Sequence, residues 1–156
     1  MRHHVKRRRR LWHRSWPDHQ ALKARVGMTV PFQDADPTGA AWHGNYFRFY
    51  DAARSALLAK LRFGYRQMAD HGQVWPIVDT RVRYRRAVPF GARIDVSAQL
   101  VEWEFRIVVY YEIDDVSGTL VNEAYTVQAP VSMPRQTLVV GTPARLRQRI
   151  ADLIGE

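Results

Sequence analysis

Apolar residues recur along this chain with two different periods, and the change from one to the other divides it. Tyr46, Phe49, Tyr50, Ala53, Leu57 and Leu61 fall three or four positions apart while Arg48, Asp51 and Ser55 occupy another face. That spacing predicts a long helix buried on one side and ended by Gly64. A further helical turn or two fits Tyr65 to His71, ahead of Gly72. Beyond it the period becomes two. Val78, Thr80, Val82 and Tyr84 alternate with Asp79, Arg81, Arg83 and Arg85 in a strand expected over Val74 to Val88, which Pro89-Phe90-Gly91 breaks. Ile94, Val96, Ala98 and Leu100 mark a second strand, and Phe105, Ile107, Val109, Tyr111 and Ile113 a third. Asp114-Asp115-Val116-Ser117-Gly118 reads as a hairpin turn into a fourth, over Thr119 to Val131. A shorter strand is expected ahead of the helix, from Val26 to Phe32, with a loop over Gln33 to Trp42. Pro143 opens a short amphipathic helix through Leu146, Ile150 and Leu153.

One strand, one long helix and four consecutive strands make an α+β plan, in which an antiparallel sheet buries the helix against its concave face. The other face of the third of those four strands carries Val108 and Tyr110, more apolar than solvent requires, and points to a subunit contact.

Composition narrows the classes. At 156 residues with 46% hydrophobic content the chain fits one domain, and with no cysteine it has no disulfide scaffold, thiolate metal site or cysteine nucleophile. That composition is compatible with a cytoplasmic location, and no run approaches the ~20 apolar residues of a membrane span. The formal charge of +9 sits at one end. Residues 1–25 hold nine Lys or Arg against the single acid Asp18, with four of the six histidines, so they are expected to form a basic, disordered tail to a nearly neutral domain over residues 26–156. Such a tail either touches nucleic acid or an acidic membrane, through Trp12 and Trp16 among its arginines, or is simply solvated. Arg9-Arg10 lacks the apolar segment of an export signal behind it, and Met28 offers an alternative start just before the first good strand.

Candidate chemistry concentrates in the loop before the helix. Asp34-Ala35-Asp36-Pro37-Thr38-Gly39 opens like a calcium loop but has Asn45 at the twelfth position and a strand rather than a helix before it. No serine lies in a Gly-x-Ser-x-Gly elbow, and neither common glycine-rich phosphate loop is present. What remains is an acid-bearing loop running into a helix N-terminus. First-turn N–H groups, here around His43 and Gly44, have no intrahelical partners and can polarise a carbonyl oxygen, while an adjacent carboxylate can attack that carbonyl or activate water. An aspartate beside a helix start is also an ordinary cap, a role that fits Asp34.

The segment from Phe32 to Arg54, with Asp34-Ala35-Asp36, Gly39, Ala40-Ala41, Trp42-His43, Gly44 and Asn45-Tyr46, resembles the signature of hot-dog-fold acyl-CoA thioesterases of the 4-hydroxybenzoyl-CoA thioesterase group. The resemblance extends over roughly residues 26–133 and leaves out the tail and the final helix. It implies a hot-dog fold, an antiparallel sheet wrapped around one long helix, and hydrolysis of an acyl or aroyl thioester to acid and thiol. The second acid of the pair, Asp36, then corresponds to the catalytic carboxylate, acting as nucleophile or as general base. The carbonyl-polarising amide falls near His43, whose imidazole either helps to position water or thioester or caps the helix. Gly44, Asn45 and Tyr46 match the motif as substrate-binding positions, though loop closure, local hydrogen bonding and packing account for them as well.

No metal or redox cofactor is implied, since coenzyme A or a carrier-protein pantetheine arm belongs to the substrate. The row Arg81, Arg83, Arg85 offers charge for coenzyme A phosphates or an acidic carrier protein, or is a solvated edge that resists aggregation. The family also implies sites at a subunit interface, hence a dimer or tetramer. Two rivals remain: release of a fatty-acyl or polyketide chain from a carrier protein, and a non-catalytic acyl-binding hot-dog protein.

Overall fold

The computed structural model describes residues 18–156. Five strands form one antiparallel sheet in the order β1-β4-β5-β6-β3. They are β1 (Lys23–Thr29), β3 (Ile77–Tyr84), β4 (Arg93–Glu102), β5 (Ile107–Asp115) and β6 (Leu120–Gln128). The long helix α1 (Tyr46–Lys60) follows β1 and is succeeded by the shorter α2 (Tyr65–Asp70). A small second sheet joins β2 (Gln73–Val74), β7 (Val131–Ser132) and β8 (Thr137–Leu138). The chain closes with α3 (Ala144–Ile154).

The period-two pattern sorts the sheet's two faces as expected. Ile94, Val96, Ala98 and Leu100 of β4 join Ile107, Val109, Tyr111 and Ile113 of β5 on the side that covers α1, and all are buried. From the helix, Phe49, Tyr50, Ala53 and Leu57 meet them, which is why the apolar stripe and not the helix ends carries the hydrophobic gain. Tyr50 and Tyr111 stack with centroids 4.9 Å apart, and the Tyr50 hydroxyl donates to Asn122 Oδ1. Burial raises that hydroxyl's pKa far above the ordinary phenol range, so it serves as a fixed donor.

Several expectations need correction. The charge pattern assigned residues up to 25 to the tail, yet β1 begins at Lys23 and pairs it with Gln99, while Leu22 is fully buried in the core. Short-range charge counting cannot see this, because a strand at a sheet edge tolerates lysine and arginine. Residues 1–17 lie outside the described residues, and with them the expected RNA or membrane contacts of Trp12 and Trp16. A start at Met28 would remove most of β1. The strand expected over Val74 to Val88 is two: Trp75-Pro76 separates β2 from β3, since proline cannot donate to a ladder. Phe105 lies in the β4–β5 turn, largely exposed, and not in a strand. Val108 and Tyr110, expected at a subunit contact, are buried in this chain in a second cluster with Val101 and Val127, against which the partly buried Tyr125 packs. Here the Tyr110 hydroxyl donates to buried Glu123 at 2.8 Å.

Candidate active site

The acid-bearing loop is a turn clamped from both sides. Asp36-Pro37-Thr38-Gly39 reverses the chain, with Gly39 N–H donating back to Asp36 O at 2.9 Å and Gly39 at φ 82°, a conformation that costs glycine nothing. Asp36 N–H closes the turn on Ala40 O at 2.8 Å. Ala41 N–H then bonds Val88 O at 2.7 Å and Phe90 N–H bonds Gly39 O at 3.0 Å, which docks the turn on the β3–β4 connection. The break expected at Pro89-Phe90-Gly91 is thus the wall against which the loop is held.

The two acids of the loop divide their labour. Asp34 is buried; its carboxylate pairs with Arg48 of α1, and its backbone oxygen accepts from Asn45 Nδ2 at 3.1 Å and Trp42 N–H at 2.8 Å. It staples loop to helix. Asp36 instead faces outward, with Oδ1 accepting from the Thr38 hydroxyl and from Thr38 N–H at 2.8 Å. The hydroxyl bond above all, then that N–H, hold the Asp36 carboxyl below the usual carboxylate range, helped by the Ala40 backbone and the nearby His43, against a smaller opposing effect of desolvation. Asp36 is therefore ionised and fixed.

Helix α1 does not begin as a simple α-turn. His43–Asn45 form a tight 3₁₀ turn that runs into it, and no described carbonyl accepts the N–H of His43 or of Gly44. Trp42 folds over this start. A Cβ on Gly44 would lie 2.2 Å from the indole, so only glycine permits the close approach. The His43 ring lies 4.9 Å from the Trp42 ring, and its carbonyl accepts a 2.6 Å hydrogen bond from the hydroxyl of Tyr84, the last residue of β3. Tyr46 is buried and packs edge-on against Tyr84 at 5.0 Å. Asp36, His43, Gly44, Asn45 and Tyr46 are thereby assembled at one end of α1, as the motif implied. Thr38, Trp42 and Tyr84 were not singled out beforehand. Asp-Pro-Thr-Gly is a turn signal from which the Thr38 bond could have been read, whereas nothing local announces Tyr84.

The arginine row is placed elsewhere. Register sets Arg83 opposite Glu123 and Arg81 opposite Tyr125, on the sheet face away from α1. Arg85 is committed there: its guanidinium bonds Glu123 Oε1 at 2.7 and 3.2 Å. The expected contact of Arg85 with substrate would be made alongside this ion pair, by a side chain that is still 36% exposed. Arg81 and Arg83 are exposed. Among the described residues no group of His, Cys, Asp or Glu is arranged to hold a metal ion, and no helix is long and apolar enough to cross a membrane.

A sheet wrapped on one helix, with an ionised carboxylate held in a turn ahead of the helix start, is the architecture of a hot-dog thioester hydrolase. The chain belongs to the Thioesterase-like superfamily, whose sequence model matches residues 30–151 and so takes in most of α3, which the resemblance had left outside. YneP of Bacillus subtilis, assigned by its name to the acyl-CoA thioesterases, is 28% identical over 94 residues, covering 60% of this chain and 68% of that protein. A 1,4-dihydroxy-2-naphthoyl-CoA thioesterase from Synechocystis has the same fold with TM-score 0.75 at 19% identity, over 84% of this chain and 97% of that one. A variant 4-hydroxybenzoyl-CoA thioesterase in complex with 4-hydroxybenzoyl-CoA gives 0.72 at 20%, over 82% and 98%.

Proposed function

We propose that this protein hydrolyses acyl- or aroyl-CoA thioesters to the free acid and coenzyme A, with Asp36 as the catalytic carboxylate. One observation carries the reading: an outward-facing, ionised carboxylate is fixed in a turn near His43, and no carbonyl among the described residues accepts the N–H of His43 or of Gly44. The thioester carbonyl oxygen takes those N–H groups, which stabilise the charge developing on it. Asp36 then serves in one of two ways. As nucleophile it adds to the carbonyl carbon, the C–S bond breaks with departure of the thiolate, and water hydrolyses the resulting anhydride. As general base it takes a proton from water, whose oxygen adds instead. The carbonyl of His43 is pinned by Tyr84, which fixes the turn that presents its N–H. The names of YneP and of the two aroyl-CoA thioesterases support coenzyme A as the thiol.

The unit is a dimer joined through β3. This strand is an edge with nearly every residue exposed, including Ile77, Val78 and Tyr84, and an apolar edge strand with open backbone groups is a pairing site. Arg83, exposed on that edge, is kept as the contact for coenzyme A phosphates, so Arg83→Glu should raise KM, as should added salt. Asp36→Asn tests the central claim. Its fold should be unchanged and its turnover, read by colorimetric thiol release across a panel of acyl- and aroyl-CoA substrates, should fall by ~10² to 10⁴. Equal rates for the two proteins would overturn the assignment.

A further inference from the structure

The helices of the described residues all lie to one side of the large sheet. α1 meets β1 and β4 on the inner face, α2 packs on β2, and α3 packs on the turn at Gln20–Leu22. The outer face is nevertheless buried. Val101, Val108, Tyr110 and Val127 are 3–6% exposed there, and Gln99 and Glu123, which register places on the same face, are buried with them. A sheet face with water against it keeps the outward ends of its side chains accessible, so burial this complete needs a covering layer.

Charge on that face narrows what the layer is. Register sets Asp95 opposite Asp114 and Glu112 opposite Glu123, and like charges directly across a ladder repel. Arg25 lies 3.8 Å from Asp114 and Arg85 holds Glu123 at 2.7 Å, which brings two cations to a row of four acids. A cover that is apolar over the valines and basic over the acids completes the face.

The chain's own start has that composition and enters at that place. Gln99 Nε2 donates to Asp18 Oδ1 at 3.4 Å, so the segment ahead of Asp18 joins the domain over the outer face. Residues 1–17 hold seven Lys or Arg, no acid, and the apolar Leu11, Trp12 and Trp16. Trp16 and Trp12 stand two and six positions from Asp18. Six extended residues reach about 20 Å, against about 10 Å across three neighbouring strands. We infer that residues 1–17 cover the outer face of their own sheet, with Trp12 and Trp16 on the apolar cluster and the basic run against the paired acids. So covered, the face is closed to a second copy, and the β3 edge is left for pairing between chains.

Limited proteolysis reads the segment, and a hydrophobic dye reads the face. In the full chain, trypsin should cut within residues 1–17 at least ~10-fold more slowly than it cuts the same sequence as a free peptide, because cleavage follows the fraction of time the segment is lifted. The double variant Trp12→Ala, Trp16→Ala, confirmed folded by circular dichroism, should be cut near the peptide rate and should bind anilinonaphthalene sulfonate several-fold more brightly. Glu112→Lys, which alters the face and leaves the segment intact, should move both readings the same way. Wild-type cleavage at the peptide rate with little dye bound assigns the cover to a second copy and overturns the inference. Protection that grows with protein concentration, or that persists in both variants, overturns it too. None of these readings requires thioester turnover, so the thioesterase reading stands or falls separately.

Discussion

Thr38 sets the charge of Asp36 from two positions along the chain. Hydrogen bonds to the ionised form lower a carboxyl's pKa, so Asp36 keeps its charge as pH falls through the ordinary carboxylate range. Thr38→Val removes the largest of those bonds, the one from the hydroxyl. The acid limb of the pH profile of kcat/KM should then move to higher pH, which rate measurements across the acid range will read. By linkage, the stability this carboxylate contributes is present above its unfolded pKa and is lost as pH falls through the lowered folded value. Asp34→Asn should behave oppositely to Asp36→Asn, with kcat within several-fold of wild type but a lower Tm, because Asp34 joins loop to helix through Arg48. The Asp-x-Asp pair was legible in the sequence, whereas the choice of Asp36 over Asp34 as the proposed catalytic acid is what the family signature implies. Its physical reason, one acid buried against an arginine and the other facing out, exists only once α1 has docked.

Helix α1 and the strands of the large sheet were read correctly because their periods extend over many residues; their ends were not. Pro76 cut short a strand that alternation alone carried from Val74 to Val88, and Phe105 fitted the parity of β5 while lying in a turn that Glu102 and Arg106 close with an ion pair at 2.8 Å. Periodicity reports which face a residue would take, not whether the ladder reaches it. The start of α1 shows the same limit, since Gly44 is explained by an indole two residues earlier. Gly44→Ala should displace Trp42 and tilt the N–H groups beside Asp36. The expected result is a kcat/KM reduced by about tenfold or more with little change in thermal stability, since misplacing positioning groups by ~1 Å can cost up to 10²-fold.

Across the whole molecule, the boundary between tail and domain has consequences for any truncation. Deletion of residues 1–25 removes Leu22 from the core and three residues of β1, so the shortened chain should melt well below the full one, and Leu22→Ala should reproduce much of that loss at about 2–5 kcal/mol by denaturant titration. The dimer proposed above would form at the opposite edge of the sheet. Val78→Asp places a charge on exposed β3, and light scattering should show a monomer that retains its fold by circular dichroism but not its thioesterase activity. Neither edge could be assigned from the sequence, because strand order follows from pairings between distant segments; the two edge strands, β1 and β3, each read simply as amphipathic.

The clamp on the Asp36 turn also dictates when activity can appear during folding. Ala41 is tied to Val88, Gly39 to Phe90, and His43 to Tyr84 across 41 residues. These long loops must close before the carboxylate and the N–H groups can face one another, and contacts of that sequence separation form slowly. Helical circular dichroism should therefore recover ahead of catalysis in a refolding experiment. A nascent or partly folded chain would carry every residue of the signature and hydrolyse nothing.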